Sequence, residues 1–135
     1  MANSLTVQTL QEGPRNAVVR VVGVLDTSNL AVQDLIDPAT YNQGGTGPTP
    51  TTFRVDEIEY TAGSPLNVQL LWDATADVIF ANLTDSGEFC FRENGGLHNN
   101  SGAGKTGKIQ IATTGWTAGT QGFTLKLWLV KVGSA

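Results

Sequence analysis

The chain has one cysteine and one histidine in 135 residues. A single cysteine excludes an intramolecular disulfide and any zinc site built on paired cysteines; a single histidine excludes a multi-histidine metal centre. Charge is also scarce: 15% of residues are charged, against about 25% in ordinary globular domains. Surface helix formers are correspondingly thin on the chain, which argues against a helical bundle or a coiled coil. No run approaches the roughly 18 apolar residues that cross a bilayer. The opening Met1, Ala2, Asn3 and Ser4 carry neither a basic cluster nor an apolar stretch, so no secretory leader is expected. A net charge of −4 argues against broad nucleic-acid binding.

What is present is alternation. Phe123, Leu125, Leu127 and Leu129 recur at every second position, with Thr124, Lys126, Trp128 and Val130 between them. The first set is predicted to face a core. The same period of two runs through Ile109 and Ile111 and through Val68, Leu70 and Trp72. Leu5 and Val7 open a short N-terminal strand. Residues 16–25 are nearly continuous valine, broken by Arg20 and Gly23, which is how a strand covered on both faces reads. Along residues 52–60 the alternation passes through Phe53 and Val55, then changes phase to Ile58 and Tyr60. One extra residue near Asp56 and Glu57 produces such a slip, so a β-bulge is expected there. Residues 78–83 and 88–91 complete the strands, with Ser86-Gly87 read as a turn between them. Residues 32–36 suit a short strand or one helical turn equally, because Asp37-Pro38 ends a helix within two turns. Residues 38–50, 93–106 and 114–121 read as loops.

Eight or nine short strands with Gly- and Pro-rich connections predict an all-β fold. The expected architecture is a two-sheet antiparallel β-sandwich, with the jelly roll as leading topology and an immunoglobulin-like sandwich second. A single domain is expected over residues 1–135, with short flexible arms at 1–11 and 131–135. All 12 acidic residues lie at or before Glu93, and Lys105, Lys108, Lys126 and Lys131 lie beyond it. The molecule is then dipolar unless folding interleaves the strands.

Groups suited to chemistry are few, and each has a plainer reading. Ser101-Gly102-Ala103-Gly104-Lys105-Thr106 ends like a phosphate-binding loop, but Asn99 stands where the first glycine belongs and a strand, not a helix, is expected next. Glu57 and Glu59 share a strand face, with Asp56 adjacent, and could be glycosidase carboxyls or a solvated surface. Asp73, Asp77 and Asp85 could contribute to a calcium site, but lack the alternating pattern of a calcium loop and suit an Asp-stabilised turn. His98 has no Asp or Ser close in sequence. Cys90, between Phe89 and Phe91, reads as a small core or interface hydrophobe. No catalytic residue, cofactor or metal is expected, and no nucleic acid or membrane partner.

Trp128 stands apart. It occupies the strand face opposite Leu125 and Leu127, beside Val130, where water would favour Thr or Lys. Either a second layer of the same domain covers it, or another chain does. On the second reading Trp128, Val130, Lys126 and Lys131 form an interface.

The run Gly13-Pro14-Arg15-Asn16-Ala17-Val18-Val19-Arg20-Val21 followed by Gly23-Val24-Leu25-Asp26-Thr27-Ser28 resembles small virion structural proteins of tailed bacteriophages. Leu70-Leu71-Trp72-Asp73-Ala74-Thr75-Ala76-Asp77, Gly102-Ala103-Gly104-Lys105-Thr106-Gly107 and Thr113-Thr114-Gly115-Trp116 extend the likeness over most of the chain. In size and pattern it is similar to the capsid cement, or decoration, class. The resemblance implies a β-sandwich that binds the outer surface of the icosahedral head and clamps neighbouring major capsid protein subunits, itself a homodimer or homotrimer. It carries over no site residues. The rival reading is a carbohydrate- or receptor-binding sandwich of a phage fibre or head fibre, with Trp116 and Trp128 as stacking platforms. A small enzyme ranks third.

Overall fold

The alternating run around Leu125 becomes the central strand of a two-layered antiparallel sandwich. The computed structural model describes residues 3–12, 16–41, 50–63, 66–99, 102–117 and 119–133. Nine strands follow in chain order: β1 Ser4–Glu12, β2 Asn16–Leu25, β3 Gln33–Ile36, β4 Pro50–Ala62, β5 Asn67–Trp72, β6 Val78–Thr84, β7 Ser86–Cys90, β8 Ile109–Thr114 and β9 Gln121–Gly133. Two short 3-10 turns, Pro38–Thr40 and Arg92–Asn94, are the helical elements among the described residues. No helix there is long and apolar enough to cross a membrane.

One sheet has five strands in the order β1-β2-β9-β4-β7; the other has four, β3-β8-β5-β6. The pairings nest. β5 pairs with β6, β4 with β7, β3 with β8 and β2 with β9, all antiparallel. One long folded ribbon, β2 to β5 returning as β6 to β9, is thus wrapped across both layers. β4–β9 and β5–β8 pairings close the sheets between its turns.

The core lies between the layers. Val19, Val21, Phe53, Val55, Ile58, Leu125 and Leu127 of the larger sheet meet Val68, Leu70, Trp72, Leu83, Ile109 and Ile111 of the smaller, all with no exposed surface. Burial of such side chains contributes about 1.5–3 kcal/mol each, the main term opposing chain entropy. Gly23 interrupts the valines of β2 because it lies opposite Phe123. A Cβ at Gly23 would sit 2.2 Å from the Phe123 ring.

The expected bulge is present. The β4–β9 register slips between Val55 and Glu57, so Asp56 is the extra residue and Phe53, Val55 and Ile58 all stay inside. The ambiguous residues 32–36 resolve to strand β3, paired with β8.

Four expectations are corrected. β2 is buried on one face only: Ala17, Val19, Val21 and Leu25 are inside, while Val18, Val22 and Val24 are half-exposed. Ser86 and Gly87 do not turn a hairpin; they belong to β7, which lies in the other sheet from β6. The chain changes layers at Asp85, whose φ is +61°. The N-terminal strand expected from Leu5 and Val7 is β1, but it runs from Ser4 to Glu12 through the stretch also expected as an arm, and residues 131–133 belong to β9. The loop expected at 114–121 is shorter at both ends, since Thr114 and Gln121 are strand residues. Most of the loop expected at 38–50 lies outside the described residues.

Candidate binding face

The bulge at Asp56 decides what the outer face of the larger sheet displays. It restores core packing for Ile58 and thereby puts Glu57 and Glu59 on the side facing away from the smaller sheet. In register, Trp128 of β9 lies between Val18 of β2 and Glu57 of β4, and Lys126 lies between Arg20 and Glu59. The Lys126 ammonium sits 4.6 Å from the centroid of the Trp128 ring, a cation–π contact. Both side chains are half-buried within the chain. Val18, Val22 and Val24 continue the apolar character of this face along β2.

An ionic rim borders Trp128. Arg54 Nε is 3.0 Å from Asp56 Oδ1, Arg92 Nε is 3.9 Å from Asp56 Oδ2, and Arg92 also pairs with Glu57. Between this rim and β1 lies a pocket of about 290 Å3 lined by Gln11, Asn16, Val18, Asp56, Arg92 and Trp128. The residues missed by sequence reasoning are the arginines. Nothing local in the sequence says that Arg92, after β7, returns to Asp56 and Glu57.

Glu57, Glu59 and Glu88 place carboxylate oxygens within 4.8 Å of one another. Glu57 is held below the ordinary carboxylate range, first by a hydrogen bond from Glu88 and then by Arg92. Glu88 is held above it, by the same hydrogen bond and by the charge of Glu57, with Glu59 adding repulsion and Arg92 opposing it. The raised group gives stability at low pH that is lost as pH rises through its folded value; the lowered group gives stability lost as pH falls through its own. The pair is therefore best in mildly acidic solution, where one shared proton remains. Glu88→Gln keeps a hydrogen-bond donor and removes the repulsion. Melting temperatures of the variant are expected to fall less than those of the parent between mildly acidic and neutral pH. An unchanged pH profile contradicts the pairing.

The four interface residues read from the sequence separate. Trp128 and Lys126 stand on the outer face. Lys131 does not: it is 5% exposed, with its ammonium 6.0 Å from the Tyr41 ring centroid. Its position has the parity of Leu127 and Leu129, which points it inward. Val130 has the outward parity but is already covered within the chain, at 9% exposure. The charge separation along the sequence is also blurred by folding, since Lys126 lies opposite Glu59 and Lys108 Nζ is 3.3 Å from Asp34.

The remaining candidates fall elsewhere. Thr106 Oγ1 donates to Asp73 Oδ2 at 2.7 Å, the Thr106 N–H to the Asp73 carbonyl at 3.1 Å, and the Thr75 N–H to the Ala103 carbonyl at 3.2 Å. The Gly-rich loop is thus laid onto the 73–77 turn, and strand β8 follows it. Ser101 lies outside the described residues. Gly107, at φ +85°, has room for no side chain: a Cβ would lie 1.8 Å from the Thr51 carbonyl oxygen. Asp77 Oδ1 accepts from the Ala74 N–H at 3.1 Å, an Asp-stabilised turn. Asp85 sits apart, at the layer crossing. His98 is exposed, next to Leu97, which bridges to Val55. Cys90 is exposed, which removes the core reading of the two given for it; it lies opposite Glu57 in the ladder. Trp116 packs partly against the core and its indole N–H donates to the Gly119 carbonyl at 2.9 Å, so it is not an open platform. No known family model matches this chain, and no curated protein matches it significantly.

Proposed function

We propose that the chain is a non-enzymatic capsid cement: it binds the outer surface of a tailed-phage head and clamps neighbouring major capsid protein subunits as a homo-oligomer. The observation that carries this reading is the outer face of the five-stranded sheet. There Trp128, Lys126 and three half-exposed valines of β2 form a broad, partly apolar surface with ionic groups at its border. Interfaces are commonly built this way, an aromatic anchor within a polar rim. The nested strand pairing supports the jelly roll as the topology of the sandwich. A clamp needs a rigid scaffold and contact area. By binding only the assembled shell it shifts the equilibrium away from disassembly.

One observation favours a second reading. The pocket beside Trp128 combines an aromatic wall with the planar polar groups of Gln11, Asn16, Asp56 and Arg92, which is how sugar sites are often furnished. Sedimentation separates the two. A cement pellets with expanded heads of its phage and stays in the supernatant with host cell envelopes. Pelleting with envelopes, together with a hit on a glycan array, reverses the order of the two readings.

A further inference from the structure

The five-stranded sheet ends in an edge that is fixed in place and, among the described residues, left unpaired. β1 hydrogen-bonds to β2 on one side and is the outermost strand of its sheet. From Ser4 to Gln11 it has no charged residue and no proline. Natural edge strands are usually guarded by lysine, proline or an inward-pointing charge, because an open row of N–H and C=O groups is a template for another strand. A bulge at Leu10 interrupts only the far end.

This edge is ordered before any partner arrives. Asn3 Oδ1 accepts from the backbone N–H groups of Asp26 at 2.7 Å and Thr27 at 3.0 Å, and its amide donates to the Ser28 carbonyl at 2.9 Å. The Thr9 and Tyr41 hydroxyls are 3.1 Å apart, and Arg20 donates to Gln8. A pre-ordered strand loses little conformational freedom on pairing. Val7 lies opposite the buried Val21 and so has core-side parity, yet it is 41% exposed. Its side chain reaches past the cover that the smaller sheet provides.

Charge selects the occupant. Two copies of a chain with net charge −4 repel, so they meet best where no carboxylates are opposed. β6 runs between Asp77 and Asp85, and antiparallel self-pairing there sets those groups against each other. β7 carries Glu88, and β3 carries Asp34. β1 has no charged residue from Ser4 to Gln11, and its one carboxylate, Glu12, ends the strand five residues from Val7, where pairing about Val7 sets it opposite no other carboxylate. With a two-fold axis at Val7, that residue faces its own copy, Thr6 faces Gln8 and Leu5 faces Thr9. Each pair stays on one face of the sheet, as antiparallel pairing requires.

We infer that β1 joins two copies of this chain by antiparallel edge-to-edge pairing centred on Val7, which continues the five-stranded sheet across the two-fold axis. This deepens the self-association in the proposed function, and it is measured in solution without heads, so its failure and that of head binding are separable. The test is a cysteine scan in a Cys90→Ser background, with single cysteines at positions 5 to 9 and mild oxidation. Directly opposed Cα atoms in such a ladder are about 4.5–5.5 Å apart, within disulfide reach. Moving one residue off the axis separates the two copies by roughly 7 Å more along the strands. Val7→Cys is therefore expected to give a disulfide dimer at least about tenfold more abundant than Thr6→Cys or Gln8→Cys. In sedimentation velocity the Cys90→Ser protein is expected to dimerise with concentration, and Thr6→Lys with Gln8→Lys to return it to monomer. A protein that stays monomeric overturns the inference. So does cross-linking that is even over the five positions or peaks away from Val7. If the double lysine variant loses its β spectrum, the cysteine scan alone decides.

Discussion

Replacing Trp72 with alanine is expected to lower stability by about 3–5 kcal/mol, the range for a large aromatic removed from a closed core. For a chain of this length that is a fall of roughly 10–20 °C in melting temperature. Trp72 has no exposed surface and stacks on Phe80 with ring centroids 4.3 Å apart. It closes one end of the smaller sheet's inner face, where β5 ends between Ile109 at the start of β8 and Val78 at the start of β6. Its indole N–H finds no hydrogen-bond partner among the described residues. A buried donor left unpaired costs about 1–3 kcal/mol. Trp72→Phe removes that donor while keeping most of the ring, so it is expected to lose less than half of what the alanine variant loses. Thermal melts of the two variants check this. Equal losses would mean that the N–H is satisfied in the parent and that losing its hydrogen bond, common to both variants, outweighs the difference in volume.

The second large effect is on binding. Truncating a central interface tryptophan typically costs about 2 kcal/mol or more, a factor of roughly 30 in affinity. Trp128→Ala is expected to weaken head binding by that factor while the far-ultraviolet spectrum and the melting temperature stay near those of the parent. The reason is position. Trp128 projects from the face of β9 opposite the buried Leu127 and Leu129, so its removal opens no cavity between the sheets. Occupancy of heads against protein concentration measures the effect. A variant that unfolds would make Trp128 a packing residue and remove it from the binding face.

The strand content was legible because backbone pleating forces period two, and a half-buried sheet cannot hide it. The bulge at Asp56 was legible for the same reason: an inserted residue inverts the phase, and Phe53 and Val55 against Ile58 record the inversion. Lys131 shows the same rule overlooked. Its parity with Leu129 points inward, and the structure follows the parity and not the charge. The crossing at Asp85 was not legible. Ser86-Gly87 has the chemistry of a tight turn, and a chain that reverses within one sheet uses the same residues as one that changes layers. Nor could sequence show that β1 is fixed. Its restraint comes from Asn3 meeting residues 26–28, a contact between segments more than 20 residues apart. The candidate face was half legible. Trp128 stands out as an aromatic on the solvent side of an amphipathic strand, with Lys126 beside it, whereas Arg54, Arg92 and Glu88 reach it only through tertiary structure.

Cryo-electron microscopy of expanded heads incubated with excess protein tests the cement function most directly. Density for a two-layered sandwich is expected at repeated positions on the outer shell, with the Trp128 face of the five-stranded sheet against the major capsid protein. Shells that remain bare at saturating protein would contradict it.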